Sequence, residues 1–147
     1  MSKYKLIQLT NQNIGAVEVD GYMPFGTITR RLNADSCDCT TFNITNTNSN
    51  IIYLNEPGYY KVTYQANLVA GAVGDLTVSL MVNNTAVYQT VETAAQGDTY
   101  SVSLPYVVRV CPNSCSNPSN CPLPIQLQLT GVAVTDGTSN LIIEQVH

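Results

Sequence analysis

Charge is scarce in this 147-residue chain, and tryptophan is absent. Only 11% of the residues are charged, and six lysines and arginines against ten aspartates and glutamates leave a net charge of −4. Proteins that bind nucleic acid present a basic surface, so this composition argues against that class. Surface charge also keeps proteins apart in solution. Its scarcity here suggests that subunits or partners cover much of the surface.

Long apolar runs are missing as well. No stretch approaches the roughly 20 apolar residues of a membrane-spanning helix. The first residues, MSKYKLIQLTNQN, lack the continuous apolar region of a secretory signal. We therefore expect no membrane insertion and no export by a visible signal. The length is that of one domain.

Residues that commonly carry catalysis are few. The only histidine, His147, ends the chain, so no internal imidazole is present to activate a serine or cysteine nucleophile. The carboxylates are dispersed, and many of the aspartates lie in predicted turns, where aspartate usually bonds to its own backbone. Neither a phosphate-binding glycine loop nor a spaced calcium-binding loop occurs. We predict a non-enzymatic protein without a cofactor or a metal.

Five cysteines form two clusters, Cys37 and Cys39, then Cys111, Cys115 and Cys121. Prolines, asparagines and serines around the second cluster exclude regular structure there. The cysteines could form disulfides, bind zinc or remain free thiols. The clusters lack the Cys-x2-Cys spacing that is usual for a zinc site. Disulfides would be unusual in a reducing cytosol, but they could form after release by cell lysis. The odd count leaves one thiol unpaired or shared between subunits.

Alternation of apolar and polar residues is the dominant pattern of the chain. Every second residue is apolar from Tyr60 to Ala70, and the alternation restarts from Leu76 to Val82 after a turn at residues 71–75. Successive side chains of a strand point to opposite faces, so each segment predicts a strand with one face in a core. The short turn between them predicts an antiparallel pair.

Shorter segments extend this pattern along the chain. No helix and no repeat is indicated, and eight to ten strands in one domain predict an all-β, antiparallel β-sandwich of the jelly-roll type. We divide the chain into residues 1–25, an N-terminal arm or short strands, and a jelly-roll domain at residues 26–147. The other predicted strands are residues 4–10, 14–19, 25–32, 41–45, 51–54, 86–93, 100–110, 125–129 and 141–146.

Three motifs carry a family resemblance. They are I-x-L-x-x-P-G-x-Y-x-V-x-Y from Ile52 to Tyr64, L-x-V-x-L-x-V-N-N from Leu76 to Asn84, and the pair Gly97-Asp98 before a long strand. In this order they resemble the tumour necrosis factor and complement globular-head superfamily of jelly rolls. The chain is most similar to its bacterial and phage branch, which includes the C-terminal domain of the collagen-like spore-surface glycoproteins. Asn84, where the family has glycine, and the cysteine-rich segment depart from the pattern.

The resemblance implies a compact homotrimer that packs through one face of each jelly roll. Nine tyrosines in a charge-poor chain are compatible with such an interface, because tyrosine supplies contact area and keeps a polar hydroxyl. Tyr59, Met81 and Val107 are the candidate interface residues. The alternative is that each is an ordinary residue of the core or the sheet surface.

The expected function is that of a virion structural protein, a homotrimer decorating a phage capsid as a head-decoration or head-fibre protein. Its partners would be itself, the major capsid protein or another virion surface, and glycans of the host surface. In this interpretation residues 1–25 contact the capsid. A bacterial spore- or cell-surface trimer is the alternative, although the collagen-like stalk is missing. A carbohydrate- or receptor-binding module is a further alternative, although sugar sites favour exposed aromatic residues, often tryptophan, which this chain lacks.

Overall fold

The computed structural model describes residues 5–32, 42–43, 49–56, 58–110 and 123–146. Within them the chain forms ten β-strands and no helix. The strands are β1 (Leu6–Asn11), β2 (Thr27–Leu32), β3 (Phe42–Asn43), β4 (Ile52–Leu54), β5 (Gly58–Ala70), β6 (Gly74–Val82), β7 (Thr85–Ala94), β8 (Thr99–Val110), β9 (Leu123–Thr130) and β10 (Val134–Gln145).

The strands form two five-stranded sheets. The first sheet has the order β2-β1-β10-β5-β8, and the second has the order β3-β4-β9-β6-β7. Every pairing between these strands is antiparallel. The last strand, β10, lies between β1 and β5, so the two ends of the chain meet inside one sheet. The prediction of an all-β antiparallel sandwich is confirmed.

The core lies between the sheets and is built by the alternation seen in the sequence. In β5, Tyr60, Val62 and Tyr64 are fully buried, whereas the intervening Lys61 and Gln65 are exposed. In β6, Leu76, Val78 and Leu80 face them from the second sheet and are equally buried. Each such side chain stabilises the fold by about 1.5–3 kcal/mol relative to leaving it in water.

The N-terminal residues belong to the same core. Ile7 and Leu9 of β1 are fully buried, and so are Met23 and Phe25 further along. Residues 14–19, for which the sequence predicts a strand, contain only an isolated bridge, in which Val17 exchanges two hydrogen bonds with Val134. The residues on both sides of position 25 therefore pack into one sandwich.

The turn between β6 and β7 has asparagine at both of its central positions. Asn83 and Asn84 both adopt the left-handed conformation, with φ of 51° and 64°. Asparagine is one of the few non-glycine residues that adopt this region readily. Two consecutive left-handed residues suit a tight hairpin, since their twist matches that of the flanking strands.

Gly131 packs closely against β6, and a second glycine with the same backbone conformation allows this packing to be tested. Gly131 and Gly97 both have φ of 86°, but a Cβ at Gly131 would collide with the carbonyl oxygen of Asp75, whereas a Cβ at Gly97 would meet nothing within 4 Å. Gly97→Ala is expected to lower the free energy of unfolding by about 1–2 kcal/mol, the penalty for the left-handed region. Gly131→Ala should lose about 3 kcal/mol or more, because a backbone carbonyl must also move.

Urea denaturation of both variants at one protein concentration measures the difference. Equal losses at the two positions would contradict the close packing of Gly131 against β6.

Candidate functional site

The first candidate surface is the outer face of the first sheet, which we call the front face. It is made by the side chains of β1, β10, β5 and β8 that point away from the core. Strand register arranges them in rows that cross the four strands: Leu6, Glu144, Lys61 and Val107; then Gln8, Ile142, Thr63 and Pro105; then Thr10, Asn140, Gln65 and Ser103.

One half of the front face is rich in apolar groups. This half, which we call the apolar half, comprises the first two rows together with Tyr59 and Val146, and it also carries the charged side chains of Lys61 and Glu144. It lies near the start of β5. Val107 is 54% exposed and Tyr59 is 41% exposed. The guanidinium of Arg109 lies over the ring of Tyr59, 5.6 Å from its centroid, a distance suited to a cation–π contact. Large apolar side chains are thus left in water on an ordered sheet.

The structure brings together two of the three residues that the sequence analysis assigned to a subunit interface. Tyr59 on β5 and Val107 on the neighbouring β8 share the apolar half. Met81 lies on β6 in the second sheet, where it pairs with Gln126 and is half-buried. Since the second sheet covers the opposite side of the core, a single flat contact does not include all three residues. The interface assignment itself stays a prediction.

The other half of the front face holds a polar groove of about 380 Å³. Amide and hydroxyl side chains from three adjacent strands line it together with Ala66, Val102 and Ser139, and none of the lining residues is charged. Two of the amides are held in place: Ser101 Oγ donates to Asn67 Oδ1 at 2.7 Å, and Gln8 Nε2 donates to Asn140 Oδ1 at 2.9 Å. The side chains that form the walls are Gln65, Asn67, Ser101, Ser103, Thr138 and Asn140.

The sequence analysis missed this groove. The alternation from Tyr60 to Ala70 places the intervening Gln65 and Asn67 on the water-facing side of the strand, and both are exposed. The groove exists only because Thr138 and Asn140, more than seventy residues later, lie opposite Asn67 and Gln65. Alternation within one strand carries no information about which strand becomes its neighbour.

A second candidate surface is the edge where β7 and β8 meet, each being the last strand of its sheet. The rings of Tyr88 and Tyr106 pack there with centroids 6.1 Å apart. Tyr88 is 39% exposed and Val91 is 57% exposed. Large side chains of β7 are therefore exposed to solvent where the two sheets meet.

The four sheet edges are not equally protected against pairing with another chain. Natural edge strands are kept short or carry charges or proline. Strand β2 carries two arginines, β3 has two residues, and β8 contains Pro105. Strand β7 has ten residues, TAVYQTVETA, with one carboxylate and neither proline nor a basic residue. Strand β7 is therefore the edge that most needs a covering partner.

Metal-binding side chains are not clustered in the part of the chain that the structure describes. No cluster of three or more histidine, cysteine, aspartate or glutamate residues occurs there in a metal-binding arrangement. In the same residues, no helix is long and apolar enough to cross a membrane. His147 and the five cysteines lie outside the described residues, so the disulfide assignment stays a prediction.

Comparison with known proteins identifies the fold. No protein-family model and no curated protein matches the sequence. Among solved structures, the globular domain of zebrafish complement 1qA is 8% identical over 97% of this chain and 98% of its own, with a TM-score of 0.66. The fold is a tumour necrosis factor-like jelly roll. The resemblance carried by the three sequence motifs is confirmed at this level.

Two further neighbours of this tumour necrosis factor-like jelly roll come from different settings. Eiger TNF from S. frugiperda is 10% identical over 99% of this chain and 94% of its own, with a TM-score of 0.68. The PRD1 vertex protein P5 is 11% identical, with both chains covered completely and a TM-score of 0.61. One is named as a TNF and the other as a vertex protein, so the fold alone does not specify the function.

Behind the groove, the core of the jelly roll contains two buried hydroxyls without good hydrogen bonds. Tyr64 Oη and Ser139 Oγ are both inaccessible to water and neither has a partner in hydrogen-bond geometry. Burial raises the pKa of Tyr64 well above its ordinary value, and the nearby Ser139 hydroxyl opposes that rise only in part. The neighbouring buried Tyr60, by contrast, donates to the carbonyl oxygen of Glu56 at 2.7 Å.

The two tyrosines should respond differently to loss of their hydroxyls. Tyr64→Phe is expected to leave the free energy of unfolding unchanged or to raise it, because an unsatisfied buried hydroxyl is removed. Tyr60→Phe should lose about 1 kcal/mol, the usual net contribution of one hydrogen bond. Urea denaturation at neutral pH compares the pair, and a larger loss for Tyr64→Phe would show that its hydroxyl is satisfied.

The raised pKa of Tyr64 also predicts a pH dependence. Below about pH 10 the hydroxyl is protonated in both the folded and the unfolded chain, so it causes no change in stability. Above that pH the unfolded chain loses the proton while the folded chain retains it, so stability falls as pH rises. Denaturation between neutral pH and pH 11 should show a shallower fall for Tyr64→Phe than for the wild type. Parallel curves would contradict the assignment.

Proposed function

We propose that this protein is a non-enzymatic structural component of a virion, a homotrimer that decorates a phage capsid. Support for self-association comes from the two uncovered surfaces, the apolar half of the front face and the edge of β7 and β8. Support for the virion comes from the PRD1 vertex protein P5, which matches the fold over the whole of both chains. The observation that carries the proposal is an ordered apolar surface beside an unprotected edge.

In this trimer the edge of one protomer contacts the apolar half of the next. The edge of β7 and β8 carries the exposed Tyr88 and Val91, which strand alternation places on opposite faces of β7, and the apolar half bears Tyr59 and Val107. An edge of one protomer that packs on the sheet face of the next forms a head-to-tail contact. Such contacts close into a ring when the rotation between neighbours divides a full turn, and three copies are the smallest such ring beyond a dimer.

The contact would also cover the unprotected edge and the exposed apolar side chains of the isolated chain. It would cover β7, the edge that has no protective proline or basic residue. It would remove Tyr59, Tyr88, Val91 and Val107 from water, and each square ångström of apolar surface removed contributes about 25 cal/mol. Scarce surface charge, 11% of residues, fits a protein whose solubility depends on that burial.

Val107→Asp tests the contact, with Val73→Asp as its matched control. Val107 lies on the apolar half, whereas Val73 is 78% exposed in the turn between β5 and β6, away from both surfaces. Light scattering should report three times the 15.9 kDa chain mass for the wild type and for Val73→Asp. Val107→Asp should shift toward the mass of one chain, because a carboxylate covered by the neighbouring protomer loses its hydration, and an ion pair with Lys61 opposite it does not fully offset that loss.

A wild-type protein that runs as a monomer at micromolar concentration would remove the support for the trimer. Loss of the trimer in both variants would show that added charge, and not the position of Val107, is responsible.

The virion assignment has a separate test. Mass spectrometry of purified phage particles should detect the chain at a fixed ratio to the major capsid protein, and chemical cross-linking should join the two. Spores of the host, prepared in parallel, should lack it. Detection in spores and absence from particles would favour the spore-surface alternative, whatever the oligomeric state.

A further inference from the structure

The polar groove on the front face has a composition that selects its ligand. Three amides and three hydroxyls line it beside Ala66, Val102 and Ser139, and no charged side chain is among the lining residues. An anion or a cation would lose its hydration without gaining a counter-charge. An apolar ligand would desolvate the amides and leave them unsatisfied. A neutral ligand with many hydroxyl groups avoids both penalties.

The groove is also ordered before any ligand binds. The side-chain oxygens of Asn67 and Asn140 already accept hydrogen bonds from the side chains of Ser101 and Gln8, and these bonds fix the planes of the two side-chain amides. Their N–H groups are left to donate. Because adjacent strands lie about 4.8 Å apart, donors and acceptors on β10, β5 and β8 repeat at the spacing of hydroxyls across a sugar ring. Fixed polar groups lose little entropy when a ligand binds.

The size of the groove agrees with this chemistry. A volume of about 380 Å³ falls at the small end of ligand pockets and suits one or two sugar units. We propose that the groove binds a neutral saccharide through Asn67, Asn140 and the hydroxyls of β8. No aromatic ring provides a stacking platform, so each site should bind weakly, with a Kd on the order of 1 mM. The site belongs to one protomer; strong attachment through three grooves rests on the proposed trimer.

Saturation-transfer NMR with galactose, glucose and N-acetylglucosamine tests the proposal, with glucuronic acid as the charged control. At least one neutral sugar should bind at about 1 mM, and glucuronic acid should bind more weakly. Asn67→Ala removes a donor and Ser103→Leu fills the groove, and both residues are exposed, so the fold should be retained. Asn67→Ala should weaken binding about tenfold, the effect of one lost hydrogen bond, and Ser103→Leu should weaken it by about as much or more, because the larger side chain occupies the space of the ligand.

Gln126→Ala provides the control, because it removes an amide from the outer face of the second sheet and should leave binding unchanged. No signal from the neutral sugars, equal binding of glucuronic acid, or unchanged binding in both groove variants would overturn the proposal. Light scattering on the same samples separates the two hypotheses. A trimer that binds no sugar refutes only the groove, and a monomer that binds sugar refutes only the trimer.

Discussion

The pairing of β10 with both β1 and β5 is the interaction on which the rest of the structure depends. It joins the first strand, the middle of the chain and the last strand in one sheet. The Gln145 N–H donates to the carbonyl oxygen of Lys5, and the Val146 N–H donates to that of Tyr59. Both halves of the front face consist of rows that cross β10. Because the contacts are so distant in sequence, folding should be slow for a chain of this size.

Much of the fold follows from residues that are close in sequence. The alternation from Tyr60 to Ala70 and from Leu76 to Val82 specifies two strands and the face that each buries. Asn83 and Asn84 specify the tight turn after β6. Residues 12–25 could not be predicted this way, because their backbone hydrogen bonds go to both sheets: Val17 pairs with Val134, and the Met23 N–H donates to the carbonyl oxygen of Leu127. Their buried apolar residues, Ile14, Val17, Met23 and Phe25, do not follow a single helical or strand period.

The candidate surfaces were harder to predict than the fold, for a physical reason. A residue's strand pattern tells whether it faces the core or water, and it did so correctly for Tyr59, Val107, Gln65 and Asn67. It does not tell which outward residues become neighbours, since that depends on register between distant strands. Tyr59 and Val107 meet because β5 pairs with β8, whereas Met81 lies on the other sheet. The groove needs β8 and β10 on either side of β5, which only the complete topology provides.

The edge strands β7 and β8 differ in how well they are protected against pairing with a strand of another copy. Pro105 in β8 cannot donate a backbone hydrogen bond, so it weakens β8 as a template for another strand. Strand β7 has no such residue, but it also presents the exposed side chains of Tyr88 and Val91. Contact through these side chains limits growth when the ring closes, whereas strand addition along an open edge continues into fibres. In a chain with few charges, electrostatic repulsion does little to prevent the growth of fibres, so closure of the ring is what limits assembly.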